Sequence, residues 1–162
     1  MRIGVPKEIK VQEHRVGMTP VSVRELVDHG HEVWVEQDAA LRQGLSNDDY
    51  RKAGAKIVKT APEIFAKCDM IVKVKEPQPV ELALLTERHT LFTYLHLAPD
   101  PAQAKALLAS GCTAIAYETV TRPGGGLPLL SPMSEVAGRM AIHAGAHCLE
   151  LEQGGRGMLL GG

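Results

Sequence analysis

The most constraining feature of this chain is a repeated alternation. Short apolar runs of strand length are separated by stretches that carry helix start and stop signals. MRIGVP (1–6) begins the series as a strand that Pro6 stops. After a polar loop, Thr19-Pro20 reads as an N-cap and first helical position for VSVRELVDH, and Gly30 stands at the helix end. HEVWVE (31–36) alternates apolar and polar as a strand does. Ser46 caps a short acidic-first helix that Gly54 ends, and KIV (56–58) follows as a short extended piece. Thr60 and Glu63 have capping-box spacing before the next helix. MIVKVK (70–75) is read as a strand, VELALLTE as a helix, TLFTYLH (90–96) as a strand, AQAKALLAS behind Asp100-Pro101 as a helix, and CTAIAYE (112–118) as a strand.

Strands and helices alternating at this spacing build βαβ units. The fold class expected is α/β, an open and mostly parallel sheet with helices on both faces. After residue 118 the pattern changes. A loop rich in proline and glycine (119–130) leads to Ser131-Pro132, which opens a long helix over 132–152. Its small residues, among them Ala137, Gly138, Ala141 and Gly145, permit close approach by another element. The tail GGRGMLLGG reads as a linker. The domain organisation expected is a substrate domain over 1–131, a long interdomain helix over 132–152, and a glycine-rich linker over 153–162 that leads to a further domain.

Composition narrows the function classes. The 162 residues carry a formal net charge of −1 and only 4% aromatics, which supports neither a nucleic-acid footprint nor a base-stacking platform. No apolar run approaches the roughly 20 residues of a membrane span. Cys68, Cys112 and Cys148 are odd in number and widely spaced, as expected of reduced thiols in the cytoplasm. His143 and His147 lie four apart on the long helix but lack a third ligand, so no metal site is expected. The glycines of the tail do not make GxGxxG, and neither GxSxG nor a phosphate loop occurs.

Ligands of open parallel sheets sit beyond the carboxyl ends of the strands. Those ends bring a small polar set toward one edge: Lys7, Glu8 and Arg15 beyond the first strand, Lys75 and Glu76 at the end of the fourth, His96 at the end of the fifth and Glu118 at the end of the sixth. A guanidinium, an ammonium and an imidazole suit a small 2-oxo or 2-amino acid, which has a carboxylate beside a carbon that changes protonation. Each residue also has a purely structural use. Arg15 can pair with Glu8 or Glu13, His96 can be a hydrogen-bonded strand-end histidine, and Lys73 and Lys75, both in step with Ile71, can snorkel from one face. Lys73, deeper in the strand, is the more structural of the two.

Taken together, RIGVPKEIKVQEHRVGMTP, IVKVKEP, LFTYLHLA, AIAYETV, LPLLSPMSEVAGRMA and GGRGMLLGG resemble the opening part of the NAD-dependent alanine dehydrogenases, along essentially the whole chain. The resemblance implies a substrate domain like those of formate and glycerate dehydrogenases. It also implies oxidation of L-alanine with NAD and water to pyruvate, ammonium and NADH. Under it, Arg15 and Lys75 bind the substrate carboxylate and oxo group, His96 is the acid/base residue, and Ser134 touches NAD. Met133 and Glu118 lie in matching segments near the cleft. The family continues into a dinucleotide-binding domain that holds most of the NAD site, so this stretch alone is expected to be inactive. A homo-oligomer, hexameric by family resemblance, is expected. The related transhydrogenase alpha subunits share the opening segment but lack the lysine and histidine that stand here as Lys75 and His96. A non-catalytic binding or assembly module is the further alternative.

Overall fold

The computed structural model describes residues 1–161; Gly162, the last residue of the expected linker, lies outside the described residues. Six strands form one sheet: β1 (Arg2–Val5), β2 (Glu32–Glu36), β3 (Lys56–Val58), β4 (Met70–Val72), β5 (Thr90–Thr93) and β6 (Thr113–Ala116). Their spatial order is β3-β2-β1-β4-β5-β6, and every pairing is parallel. Six helices alternate with or follow them: α1 (Pro20–Asp28), α2 (Asn47–Lys52), α3 (Ala61–Lys67), α4 (Pro79–Leu82), α5 (Pro101–Ser110) and α6 (Ser131–Leu149). The α/β sheet expected from the alternation is the one observed, and it is parallel throughout.

Strand register separates the core into two faces. Val5, Val33 and Val35 point one way and pack with Val23 of α1 and Tyr50 of α2. Ile71 pairs with Gly4, one step out of phase, and joins Leu91, Ile64 and Phe65 of α3, and Leu107 of α5 on the opposite face. Helices therefore cover both sides of the sheet, which is why its central strands are nearly all apolar. Gly4 is needed for this. A Cβ there would lie 2.4 Å from Cγ2 of Ile64, so α3 packs on β1 only where the side chain is a hydrogen.

The chain lays down β1, β2 and β3 in one direction, then returns to place β4 on the other side of β1. That reversal opens a crevice at the carboxyl ends of β1 and β4, where ligands of open α/β sheets bind. Two loops flank it. One runs from Pro6 to Thr19, and the other runs from Lys73 to Gln78.

Several local expectations change. β4 ends at Val72, not at residue 75. The hydrogen bonds continue toward β5, with Lys73 N–H donating to the Phe92 carbonyl and Tyr94 N–H to the Val74 carbonyl. On the other side β1 has already stopped before Pro6, and a side chain supplies the acceptors instead. α4 is a single turn, shorter than the helix expected over VELALLTE. Ser46 and Asp49 form a full capping box and Asp100 caps α5 through Gln103 N–H, but the Thr60 hydroxyl, which donates to the Glu63 carboxylate, accepts no backbone N–H of α3.

Met1–Glu118 form one compact unit, and the chain from Thr119 onward forms a second. In the second unit α6 spans Ser131–Leu149, and a single 3-10 turn, Leu151–Gln153, follows it. Among the described residues no helix is long and apolar enough to cross a membrane.

Candidate active site

The crevice between β1 and β4 is organised by buried charge. Lys73 is fully inaccessible to solvent. Its ammonium donates to Oε1 of Glu81 at 2.7 Å and to Oε2 of Glu8 at 3.2 Å. Lys73 is thus the structural lysine of the pair, as its depth in the strand implies, and it does not snorkel toward water. It is buried because two carboxylates, one from the β1 loop and one from α4, meet its charge inside the protein. Glu8 does more than pair. Its Oε1 accepts from Val74 N–H at 2.6 Å and from Lys75 N–H at 3.3 Å. Burial pushes the Glu8 carboxyl above the usual range, against the opposing pull of Lys73 and the Val74 amide.

Lys75 leaves β4 at this point, half-buried, its carbonyl accepting from the Thr93 hydroxyl at 2.8 Å. The next residue, Glu76, forms an ion pair with Lys10 that ties the two loops together. Gly17 brings the β1 loop close to β4, since a Cβ there would lie 2.6 Å from the Val72 carbonyl oxygen.

Arg15 lies on the same loop and pairs with Glu13. Nε donates to Oε1 at 2.9 Å and Nη2 to Oε2 at 2.6 Å, a two-point clasp of guanidinium on carboxylate. Of the two partners open to Arg15 from the sequence, Glu13 is the one used, because Glu8 is engaged by Lys73 and the β4 exit. Hydrogen bonding from Arg15 is the main cause that holds Glu13 down at about 2, with burial opposing it and the Lys75 charge adding to the lowering. Glu13 thus lies within electrostatic reach of both Arg15 and Lys75. A hollow of about 370 Å³ is lined by Lys7, Glu8, Glu13, His14, Arg15 and Arg42, with Arg42 Nη1 donating to the His14 ring at 3.0 Å.

His96 occupies the corresponding position beyond β5, which pairs directly with β4. Its side chain is exposed and its backbone is left-handed, with φ of 47°. Glu118, just beyond β6, accepts from the backbone N–H groups of Leu95 at 3.1 Å and His96 at 2.7 Å. Burial raises the Tyr94 hydroxyl pKa. Arg15 lowers it and Glu118 raises it, so Tyr94 lies within electrostatic reach of both.

Of the residues singled out from the sequence, Arg15, Lys75, His96 and Glu118 all belong to the first unit and follow β1, β4, β5 and β6. Arg15 and Lys75 share Glu13. Ser134 belongs to the second unit, exposed on α6, with its hydroxyl 3.4 Å from the Leu130 carbonyl. Met133 lies beside it on the same helix. His143 and His147 also lie on α6, where His147 faces Glu150 at 3.3 Å, and among the described residues no three His, Cys, Asp or Glu side chains converge as a metal set. A larger hollow of about 620 Å³ between α4 and α5 is lined by none of Arg15, Lys75 and His96. Sequence reasoning missed the supporting roles of Glu8, Glu81 and Glu36. Glu36 ends β2, accepts from Lys7 N–H at 2.8 Å and is likewise raised by burial. For Glu36 and Glu8 a usable signal was an acid at or shortly after a strand end, whereas Glu81, on α4, carried none.

Comparison with known proteins adds the wider context. Residues 4–137 match the family described as Alanine dehydrogenase/PNT, N-terminal domain. The whole chain is 54% identical to an alanine dehydrogenase of Halomonas elongata, covering 44% of that protein, and 53% identical to one of Methanococcus maripaludis, covering 43%. A solved L-alanine dehydrogenase superposes with a TM-score of 0.89 at 52% identity, over all of this chain and 45% of that one. A transhydrogenase from Sinorhizobium meliloti superposes with a TM-score of 0.71 at 27% identity, over 76% of this chain and 35% of its own. The chain thus spans less than half the length of the relatives it matches.

Proposed function

Because this chain belongs to the alanine dehydrogenase/PNT N-terminal domain family, we propose that it is the substrate-binding portion of an alanine dehydrogenase, an enzyme that converts L-alanine, NAD and water to pyruvate, ammonium and NADH. The observation that carries this reading is the crevice itself, where Glu8 joins the β1 loop to the amides of Val74 and Lys75 and so holds the loop of Arg15 against the strand exit that bears Lys75.

In this reading Arg15 offers its planar fork to the substrate carboxylate, in the same two-point manner in which it holds Glu13. Lys75 sets an ammonium against the oxo oxygen of pyruvate. His96 exchanges protons as water adds to the imino acid and as the carbinolamine collapses. Ser134 is read as a contact to NAD. NAD, when bound, accepts hydride. Among the described residues none of the six strands is followed directly by a glycine-rich turn of the kind that receives a pyrophosphate. The cofactor is therefore read as held mainly by a domain beyond these residues, with 1–131 as substrate domain, 132–152 as interdomain helix and 153–162 as linker. A cytoplasmic homo-oligomer, hexameric by family resemblance, completes the reading, and three free thiols support the compartment.

The test is NADH formation from L-alanine by a full-length enzyme carrying this chain. Lys75→Ala and His96→Ala should each lower turnover by roughly 10²–10⁴-fold. Losses below about threefold would mean the roles are misassigned. Hydride exchange between NADH and NADP with no response to alanine would favour the transhydrogenase reading instead. The 162-residue chain by itself should show no turnover, and pyruvate should shift the NMR signals of Lys75 and His96 in it.

A further inference from the structure

A pattern recurs along the carboxyl edge of the sheet. In three places the backbone N–H groups just past a strand end are taken by a carboxylate from the neighbouring strand's end. Glu36 from β2 takes Lys7 N–H beyond β1, Glu8 from the β1 loop takes Val74 and Lys75 beyond β4, and Glu118 from beyond β6 takes Leu95 and His96 beyond β5. Parallel ladders run out here, so a carboxylate is the acceptor that lets an ordered backbone continue past the last ladder bond.

The third of these is the most demanding. His96 stands at φ 47°, in the left-handed region that a residue with a Cβ seldom adopts. Something must hold it there. Oε1 of Glu118 accepts from His96 N–H at 2.7 Å and from Leu95 N–H at 3.1 Å, while Oε2 lies 3.3 Å from the Leu95 nitrogen. Glu118 is itself fixed by its neighbour. The Tyr117 ring packs edge-on against Phe92 at 4.2 Å and against Tyr94 at 4.8 Å. On the inner side, Gln103 of α5 donates its amide to the Leu95 carbonyl at 2.7 Å. The peptide that presents His96 is thus gripped from β6 on one side and from α5 on the other.

We propose that Glu118 is a positioning residue for His96, acting through the backbone by holding the left-handed turn from which the imidazole is presented. This deepens the alanine dehydrogenase reading and rests on it for the role of His96. Glu118 needs only to accept two N–H bonds, so an uncharged amide oxygen in its place should serve nearly as well.

The test uses a full-length enzyme carrying this chain, with Glu118→Ala and Glu118→Gln made in parallel. Hydrogen–deuterium exchange of the segment containing Leu95 and His96 reports the clamp, and kcat and KM for alanine report its use. Glu118→Ala should expose that segment to faster exchange and lower kcat by roughly 10–100-fold, the scale of a misplaced reacting group. KM should change less than kcat, and Glu118→Gln should keep both kcat and protection within about threefold of wild type. Native protection and native kcat in Glu118→Ala would overturn the proposal. So would a Glu118→Gln enzyme as impaired as the alanine variant, since the charge and not the acceptor would then be what is used. Should Glu118→Ala fail to fold, Glu118→Gln decides through the same two readouts. His96→Ala serves as the separate control. If it retains full activity the catalytic reading of His96 fails, while the exchange measurement still decides whether Glu118 holds the turn.

Discussion

Lys73 shows how one residue organises the crevice. Two carboxylates lean on its buried ammonium, so removing the ammonium leaves both in the interior without a counter-charge. Lys73→Ala should destabilise the protein by about 3–5 kcal/mol, measured by urea unfolding. A loss below about 1 kcal/mol would mean that water reaches the pair. Glu13 makes a pH prediction. Its carboxyl is held at about 2 in the folded protein against an ordinary 4.5, so the folded state binds its proton more weakly than the unfolded state does. The stability it contributes is fully present above about pH 4.5 and is lost as pH falls toward about 2. The stability gap between wild type and Glu13→Gln should close across that window, and a gap unchanged at its lower end would refute the assignment. Glu8 has the opposite sign. Burial raises its folded pKa, so its ionisation costs stability at neutral pH, and that cost falls away as pH drops through the raised pKa. These signs were out of reach from the sequence, because Glu8 and Glu13 are both acids on one polar loop and differ only in what folds onto them.

At the scale of elements, hydrophobic alternation and local caps were legible. β1, β2, β3 and β5 fall where the apolar runs fall, and Ser46 and Asp100 cap as their types suggest. What failed depended on distant partners. β4 stops short of Lys75 because its neighbour β1 ends at Val5, and the Thr60 hydroxyl meets the Glu63 carboxylate and no backbone N–H of α3. Gly17 gave no sign of its use, because the contact that needs it, the Val72 carbonyl, lies far along the chain. Gly17→Ala should force the β1 loop away from the β4 exit at a cost of about 1–3 kcal/mol. It should also weaken pyruvate binding, which titration calorimetry would read. Unchanged stability and binding would show that the loop tolerates a shift.

At the scale of the whole chain, the candidate site was half legible. The rule that ligands sit beyond parallel strand ends gathers Lys7, Glu8, Arg15, Lys75, His96 and Glu118 from the order of residues, and the family resemblance gives roles to Arg15, Lys75 and His96 among them, whereas the grip of the carboxylates on the backbone emerges only from the spatial order of the strands. That order has a consequence in time. The first strand made, β1, is the central one, and its second partner, β4, begins at Met70. On a ribosome the N-terminal strand can join β2 early, but it keeps one unsatisfied edge until almost half of these residues have been synthesised. Of these strands β1 therefore waits longest for its second neighbour, and the crevice between β1 and β4 comes into being with that closure.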